Sequence, residues 1–227
     1  MLLKRVPLWV AGTNAWIVSA GGPGSECVVV DVPPDPAALL GKLAADGLRL
    51  VAVLATHGHV DHVGGIGAVT RAVDPALPVH LHRADHHLLA DPEATGGALG
   101  QLLAAQGRAG PPPELVLGLD DGQRVSGAGL TFTALHTPGH TKGSTCLLLE
   151  VEGEPPVLFS GDHLFRGSVG RWDLPGGSRD ELLASMAAKV LTLPDEVRVL
   201  PGHGPRTDIG TERRTNPFLT ALAGRAG

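Results

Sequence analysis

The stretch THGHVDHVGG at residues 56–65 constrains this chain more than any other. It follows RLVAVLA, an apolar run of strand length, so three imidazoles and a carboxylate arrive at the end of a buried strand. His57 and His59 stand two apart; in extended chain they point to one side and can share an ion. Asp61 and His62 are adjacent and would face opposite ways in a continuing strand. The chain must therefore turn there, and Gly58, Gly64 and Gly65 make the turn sterically easy. Zinc-binding histidines on a helix would stand at i and i+4 instead. The spacing reads as two ligand sets on one loop, His57 with His59 and Asp61 with His62.

Four donors cannot fill two coordination shells. Three more are available at the ends of other predicted strands: His140 in HTPGHTKGS, Asp162 in LFSGDHLF and His203 in LPGHGP. Each lies in a segment with a glycine next to or near the ligand, where backbone can approach a crowded site. The count assigns His57, His59 and His140 to one divalent ion, Asp61, His62 and His203 to a second, and Asp162 to a bridging position. Zinc is the expected metal, and iron or manganese suit the same donors.

The rest of the chain narrows the function. Its 227 residues, 43% hydrophobic, suffice for one sizeable core and a single domain over residues 1–227. The apolar runs are strand-sized, well short of the roughly 20 residues a membrane-spanning helix needs. No secretory leader pattern opens the chain, so a cytoplasmic protein without a membrane partner is expected. A net charge of −5, 3% aromatic residues and no tyrosine remove the usual support for nucleic-acid binding. Cys27 and Cys146 lie in apolar strand-like runs and read as buried thiols of a reducing compartment.

Periodicity gives strands at RVPLWV, NAWIVS, CVVVDV and RLVAVLAT, with a helix in PDPAALLGKLAADG. A weaker helix is expected in VGGIGAVTRAVD, a short strand at VHLHR and a short helix at ADHHLLAD. Residues 93–114 form a Gly- and Pro-rich excursion with a helical piece, ALGQLLAAQ. Strands resume at QRV, LTFTALH, STCLLLEV and PVLFSGD. A helix over about residues 179–193, a strand at RVLPGH and a last short helix near GTERRTNPFLTALA complete the chain. The repeated order of strands and helices fits two packed sheets with helices outside.

THGHVDH, HTPGHTKGS, SGDHLF and PGHGP, taken in order, resemble the ligand motifs of the metallo-β-lactamase superfamily. VVVDVP resembles the strand whose aspartate, here Asp31, supports the ligands from behind. GSVGRWDLPGG and TERRTNPFL are similar to the short bacterial form of glyoxalase II, the hydroxyacylglutathione hydrolases. The resemblance implies an α/β protein, a four-layer αββα sandwich of two mixed sheets with a dinuclear metal site at the sheet edges. It implies hydrolysis of an acyl thioester of a small thiol, S-lactoylglutathione being the model, by a metal-bridging hydroxide. Asp61 and Asp162 are the expected catalytic carboxylates, orienting that nucleophile.

Arg171 matches a basic position that contacts the thiol carrier in such relatives, with a salt bridge to Asp173 as the plain alternative. Lys142 replaces a common proline and is either a solvated charge or a contact to an anionic substrate. His163 departs from the small or hydroxyl residue usual after the bridging aspartate. His80, His82, His86, His87 and His136 read as structural or surface residues. Longer glyoxalase II relatives hold glutathione with a helical C-terminal domain, whereas about one helix's worth of chain follows His203; a smaller thiol or broad specificity is therefore expected. Alternatives within the fold are a mononuclear iron persulfide dioxygenase and a lactonase or β-lactamase.

Overall fold

Glu26–Val30, ECVVV, shows in one strand how the layers arise: Cys27 and Val29 pack to one side with a set of helices, Val28 and Val30 to the other with a second sheet. A strand apolar on both faces must be covered twice, and the chain supplies both covers. The computed structural model describes residues 1–96, 101, 105, 106 and 111–223. The expected helical piece ALGQLLAAQ lies largely outside the described residues.

The first sheet comprises β1 (Leu2–Leu8), β2 (Thr13–Ser19), β3 (Glu26–Val30), β4 (Arg49–Leu54), β5 (Val79–His80) and β6 (Val116–Leu117), in that spatial order. β1, β2 and β3 pair antiparallel, and β3 to β6 pair parallel. Two helices cross over between the parallel strands, α1 (Pro36–Ala45) and α3 (Ile66–Val73), the latter preceded by a single turn, α2 (Val60–Val63). Asp35 caps α1 by accepting from Ala38 N, and Pro36 opens its first turn. Leu39, Leu43, Ile66 and Val69 then seal the outer face of the sheet.

The second sheet contains β7 (Arg124–Gly127), β8 (Leu130–His136), β9 (Thr145–Leu149), β10 (Val157–Gly161), β13 (Arg198–Pro201) and β14 (Thr207–Asp208), in the order β14-β13-β10-β9-β8-β7. Only β10 and β13 pair parallel. Phe132, Leu147, Leu149, Val157 and Phe159 face the first sheet, while Cys146, Leu158 and Val199 face outward. That outer face is covered by α5 (Arg179–Ser185), a π-helical turn over Met186–Val190, α6 (Ile209–Thr215) and α7 (Pro217–Ala223). A small hairpin, β11 (Leu164–Phe165) with β12 (Ser168–Val169), follows β10. The result is an αββα sandwich.

Several expected elements have different limits. The first strand ends at Leu8 because Trp9 takes a left-handed conformation, φ 61°. VHLHR contributes only Val79 and His80 to the sheet. ADHHLLAD splits into a 3₁₀ turn over Arg83–Asp85 and α4 (His86–Ala90). The helix expected to reach residue 193 ends in the π turn, and GTERRTNPFLTALA forms two helices because Pro217 cannot continue the first. Among the described helices none is long and apolar enough to cross a membrane.

Candidate metal centre

Parallel strands place their carboxyl ends at one edge of a sheet, and ligands gather there. Asp31 follows β3, His57 follows β4, Asp162 follows β10, and His203 lies two residues past β13; His140 lies on the β8–β9 connection. These ends meet. One donor atom from each of His57, His59 and His140 lies within 4.8 Å of the others, and the same holds for His57, His62 and Asp162 and for Asp61, His62 and His203. All seven sequence-nominated ligands are thus brought together, with Asp162 beside both groups: its oxygens stand 3.3 Å from His62 Nε2 and 3.6 Å from His140 Nε2 and His203 Nε2.

A metal fits this donor set. Nε2 of His57, His59, His62 and His140 and Oδ1 of Asp162 are buried without a hydrogen-bond partner among the described residues. Such atoms are costly to bury unless something else satisfies them. The opposite ring nitrogens are held. His140 Nδ1 donates to Arg171 O at 2.7 Å, and His62 Nδ1 meets Asp31 Oδ2 at 2.8 Å. Thr56 donates to Asp31 Oδ2 at 2.8 Å, which leaves its oxygen to accept from His57 Nδ1 at 3.1 Å. Each contact puts the proton on Nδ1 and turns Nε2 toward the centre. Asp31 itself sits at φ 59° and also accepts from Thr56 N.

The His203 turn is clamped by Asn14, which sequence reasoning passed over. Asn14 Nδ2 donates to Pro201 O and Gly204 O, its N–H donates to Gly202 O, and Arg5 Nε fixes the amide by donating to Oδ1. Gly202 is obligatory here, since a Cβ would collide with the Asp162 carboxylate and the His62 ring. Thr13 donates to Asp61 Oδ2 at 3.1 Å. The TERRTNPFL segment acts through buried Glu212, which accepts from Gly167 N, Asn216 Nδ2 and Thr207 Oγ1 and so fixes the β11–β12 hairpin. Thr56 was findable beside His57; Asn14 and Glu212 carry no local signal.

Burial lowers the basicity of His57 well below the ordinary value, and of His59 to about 3, helped by the neighbouring imidazoles. Burial opposes charge on His62 too, but the carboxylates of Asp61, Asp162 and Asp31 outweigh it and hold its proton well above the usual range. His203 is raised likewise: burial works against its charge, while the hydrogen bond it donates to Asp61 Oδ2 at 3.1 Å and the Asp162 charge prevail. Asp61 and Asp162 show the converse. Burial would raise them, yet His62 and His203 keep both ionised, Asp162 down to about 2.

A cleft of about 320 Å³ opens onto this cluster, lined by His59, Asp61, His140, Asp162 and His203 and walled by Thr95, Gly96, Arg171 and Leu174. Thr95 and Gly96 belong to the excursion after residue 93; residues 97–100, 102–104 and 107–110 lie outside the described set. Arg171 reaches the cleft wall while its guanidinium pairs with both oxygens of Asp173 at 2.8 and 2.9 Å. Lys142 pairs with Glu181 at 2.8 Å and is half-exposed. Among the described residues it is absent from the cleft lining. His163 is buried, with both ring nitrogens unpartnered and its basicity lowered to about 3 by burial. His82 and His136 stack at 4.0 Å, and His86 binds Leu81 O, all away from the ligand cluster.

An αββα sandwich that gathers imidazoles and carboxylates at its strand ends is the arrangement of a metallo-hydrolase superfamily. The chain belongs to the metallo-beta-lactamase superfamily, whose family model matches residues 8–203. It is 34% identical to a probable metallo-hydrolase, YqgX, of Bacillus subtilis (98% of this chain, 100% of that one). It is 31% identical to the hydroxyacylglutathione hydrolase GloC of Haemophilus influenzae (94% of this chain, 91% of the other), which supports the glyoxalase II branch. Among solved structures it resembles the BLEG-1 B3 metallo-beta-lactamase (TM-score 0.82, 38% identity, covering 96% of this chain and 100% of that one). It also resembles TTHA1623 in a di-iron-bound form (TM-score 0.79, 41% identity, covering 95% and 100%).

Proposed function

We propose that this protein is a dinuclear metallohydrolase that cleaves thioesters of small thiols. The observation that carries the reading is the pair of donor triads with Asp162 beside both, in which Nε2 of His57, His59, His140 and His62 and Oδ1 of Asp162 are buried without a partner among the described residues. Zinc is the proposed metal; iron remains compatible, and a di-iron relative supports it. Two bound dications supply Lewis-acid polarisation of the acyl carbonyl and lower the pKa of water so that a nucleophile exists near pH 7.

The chain's own groups do the rest. Asp61 and Asp162 stay ionised, balance the cationic charge and accept hydrogen bonds from the incoming water. His59, Thr95, Gly96 and Leu174 wall the acyl group, and Arg171 stands where an anionic carrier thiol would pass. Water adds to the acyl carbon and the C–S bond breaks. The products are a carboxylic acid and a thiol, and no redox partner is required. Lys142, tied to Glu181, would contact substrate only by leaving that pair.

The test pairs elemental analysis of purified protein with steady-state assays on several acyl thiols, a chromogenic β-lactam and a persulfide. Two ions per chain with thioesters turned over best supports the proposal, and the spread across thiols reports how strictly the carrier is read. One iron with oxygen consumption on the persulfide, or preference for the lactam, overturns it.

A further inference from the structure

The segment ADHHLLAD, which no ligand motif includes, contributes the carboxylate that joins the two loops of the all-histidine triad. Asp85 is 1% exposed. Its Oδ2 accepts from Gly58 N at 2.9 Å and from Thr141 Oγ1 at 2.7 Å, and its Oδ1 accepts from Gly143 N at 2.8 Å. Gly58 lies between His57 and His59, and Thr141 directly follows His140. The carboxylate therefore spans the two chain segments that must hold three nitrogens around one ion.

The fit is tight on the His140 side. A Cβ on Gly143 would stand 2.5 Å from the carboxyl carbon of Asp85, so the loop closes on the carboxylate only because that residue is glycine. Thr141 is fixed further by Ser144 Oγ, which bonds both its N–H and its hydroxyl. All three groups facing Asp85 donate. A carboxylate, which only accepts, satisfies all three; an amide would point its own N–H₂ at one of them. The other triad is held by separate groups: Asp31 for His62, Asn14 for the His203 turn and Thr13 for Asp61.

We propose that Asp85 is a positioning residue for the His57–His59–His140 triad, setting the distance between its two loops and hence the affinity of that triad for a divalent ion. The proposal rests on the metal-binding reading above. It predicts selectivity: loss of the carboxylate weakens one of the two ion sites and leaves the other intact, whereas a general structural role would weaken both or lower stability alone.

The test is titration of the metal-stripped protein with cobalt(II), followed by its ligand-field absorption, alongside thermal unfolding of the metal-free form. Asp85→Asn should weaken one of the two binding steps by ~10–100-fold, with the other unchanged, the range typical for groups that orient metal ligands. Thr141→Val, which removes one donor to the same carboxylate, should weaken the same step by less; it carries the test if Asp85→Asn does not fold. Unchanged binding in both steps, or equal weakening of both, overturns the role of Asp85 while the metal centre stands. Failure of the unsubstituted protein to take up cobalt would instead sink the metal reading, and the proposal with it.

Discussion

The two triads of the site follow opposite electrostatic plans. His57, His59 and His140 are all nitrogen donors and buried, and His57 and His59 shed protons readily. Asp61, His62 and His203 mix a carboxylate with two imidazoles that cling to their protons, and the side chain of His203 is 30% exposed. The difference follows from position. His57 and His59 of the first triad are buried, which disfavours charge most, and stand among other imidazoles, which repel it further. The second faces Asp31, Asp61 and Asp162, which invite it. On the proposed dinuclear reading, one half of the centre is prepared for an ion, and the other exchanges protons for one.

The strongest way to break the contrast is to remove what both halves share. Asp162→Ala should lower kcat/KM for a thioester on the order of 10³-fold, the several kcal/mol expected when metal-assisted catalysis is dismantled, and elemental analysis should find both ions depleted. Splitting the halves should cost less. His59→Ala and His203→Ala should each leave about one ion per chain, with kcat/KM down roughly 10²-fold, on the scale of losing one electrostatic stabiliser. Equal loss of both ions in either variant would show that the triads do not act separately.

Protons sharpen the comparison. An ion entering the mixed triad at pH 7 must displace the proton held by His62, and the raised His203 acts in the same direction, so its affinity should climb with pH by about tenfold per unit for each proton released. His57 and His59, already neutral there, add no such slope. Calorimetry in buffers of different ionisation enthalpy counts the protons. The metal-free protein should show the reverse dependence. The raised His62 stabilises it fully below the unfolded value of about 6.5, and this is lost as pH rises through the raised folded value. The depressed Asp162 stabilises it above the unfolded value of about 3.9, and this is lost as pH falls toward 2. Thermal midpoints of chelator-stripped protein should peak near the unfolded histidine value of about 6.5, because His57 and His59, held neutral in the fold, cost stability as pH falls below it.

Smaller effects probe the surroundings. Thr56→Val cuts the relay from Asp31 to His57 and should weaken metal binding by about tenfold, read by competition with a chelating dye. Lys142→Ala breaks only a half-exposed pair with Glu181, so unfolding should shift by about 1 kcal/mol or less.

The convergence of the candidate ligands was legible because metal chemistry imposes short-range rules: HGHVDH keeps its spacing wherever it sits, and strand ends deliver His140, Asp162 and His203 to one edge. The layering was legible from the repeated order of strand groups and helices along the chain. What supports the ligands was not. Asp85 reaches its partners across 27 to 58 residues of chain, and ADHHLL reads as an ordinary polar helix start. Of the five two-residue strands described, β5 fell within the expected VHLHR, while β6, β11, β12 and β14 were too short for alternation to register. The π turn after Ser185 arises from packing against the second sheet, and periodicity alone extends the helix through it.

The cysteines take on a meaning within this setting. Cys27 and Cys146 are buried on the outer faces of different sheets, and burial raises their thiols to about 11 and about 12. A protonated, enclosed thiol is a poor nucleophile. On the proposed thioester-hydrolase reading, activated acyl groups would meet no reactive cysteine sulfur on this chain, which would spare it self-acylation by its substrates.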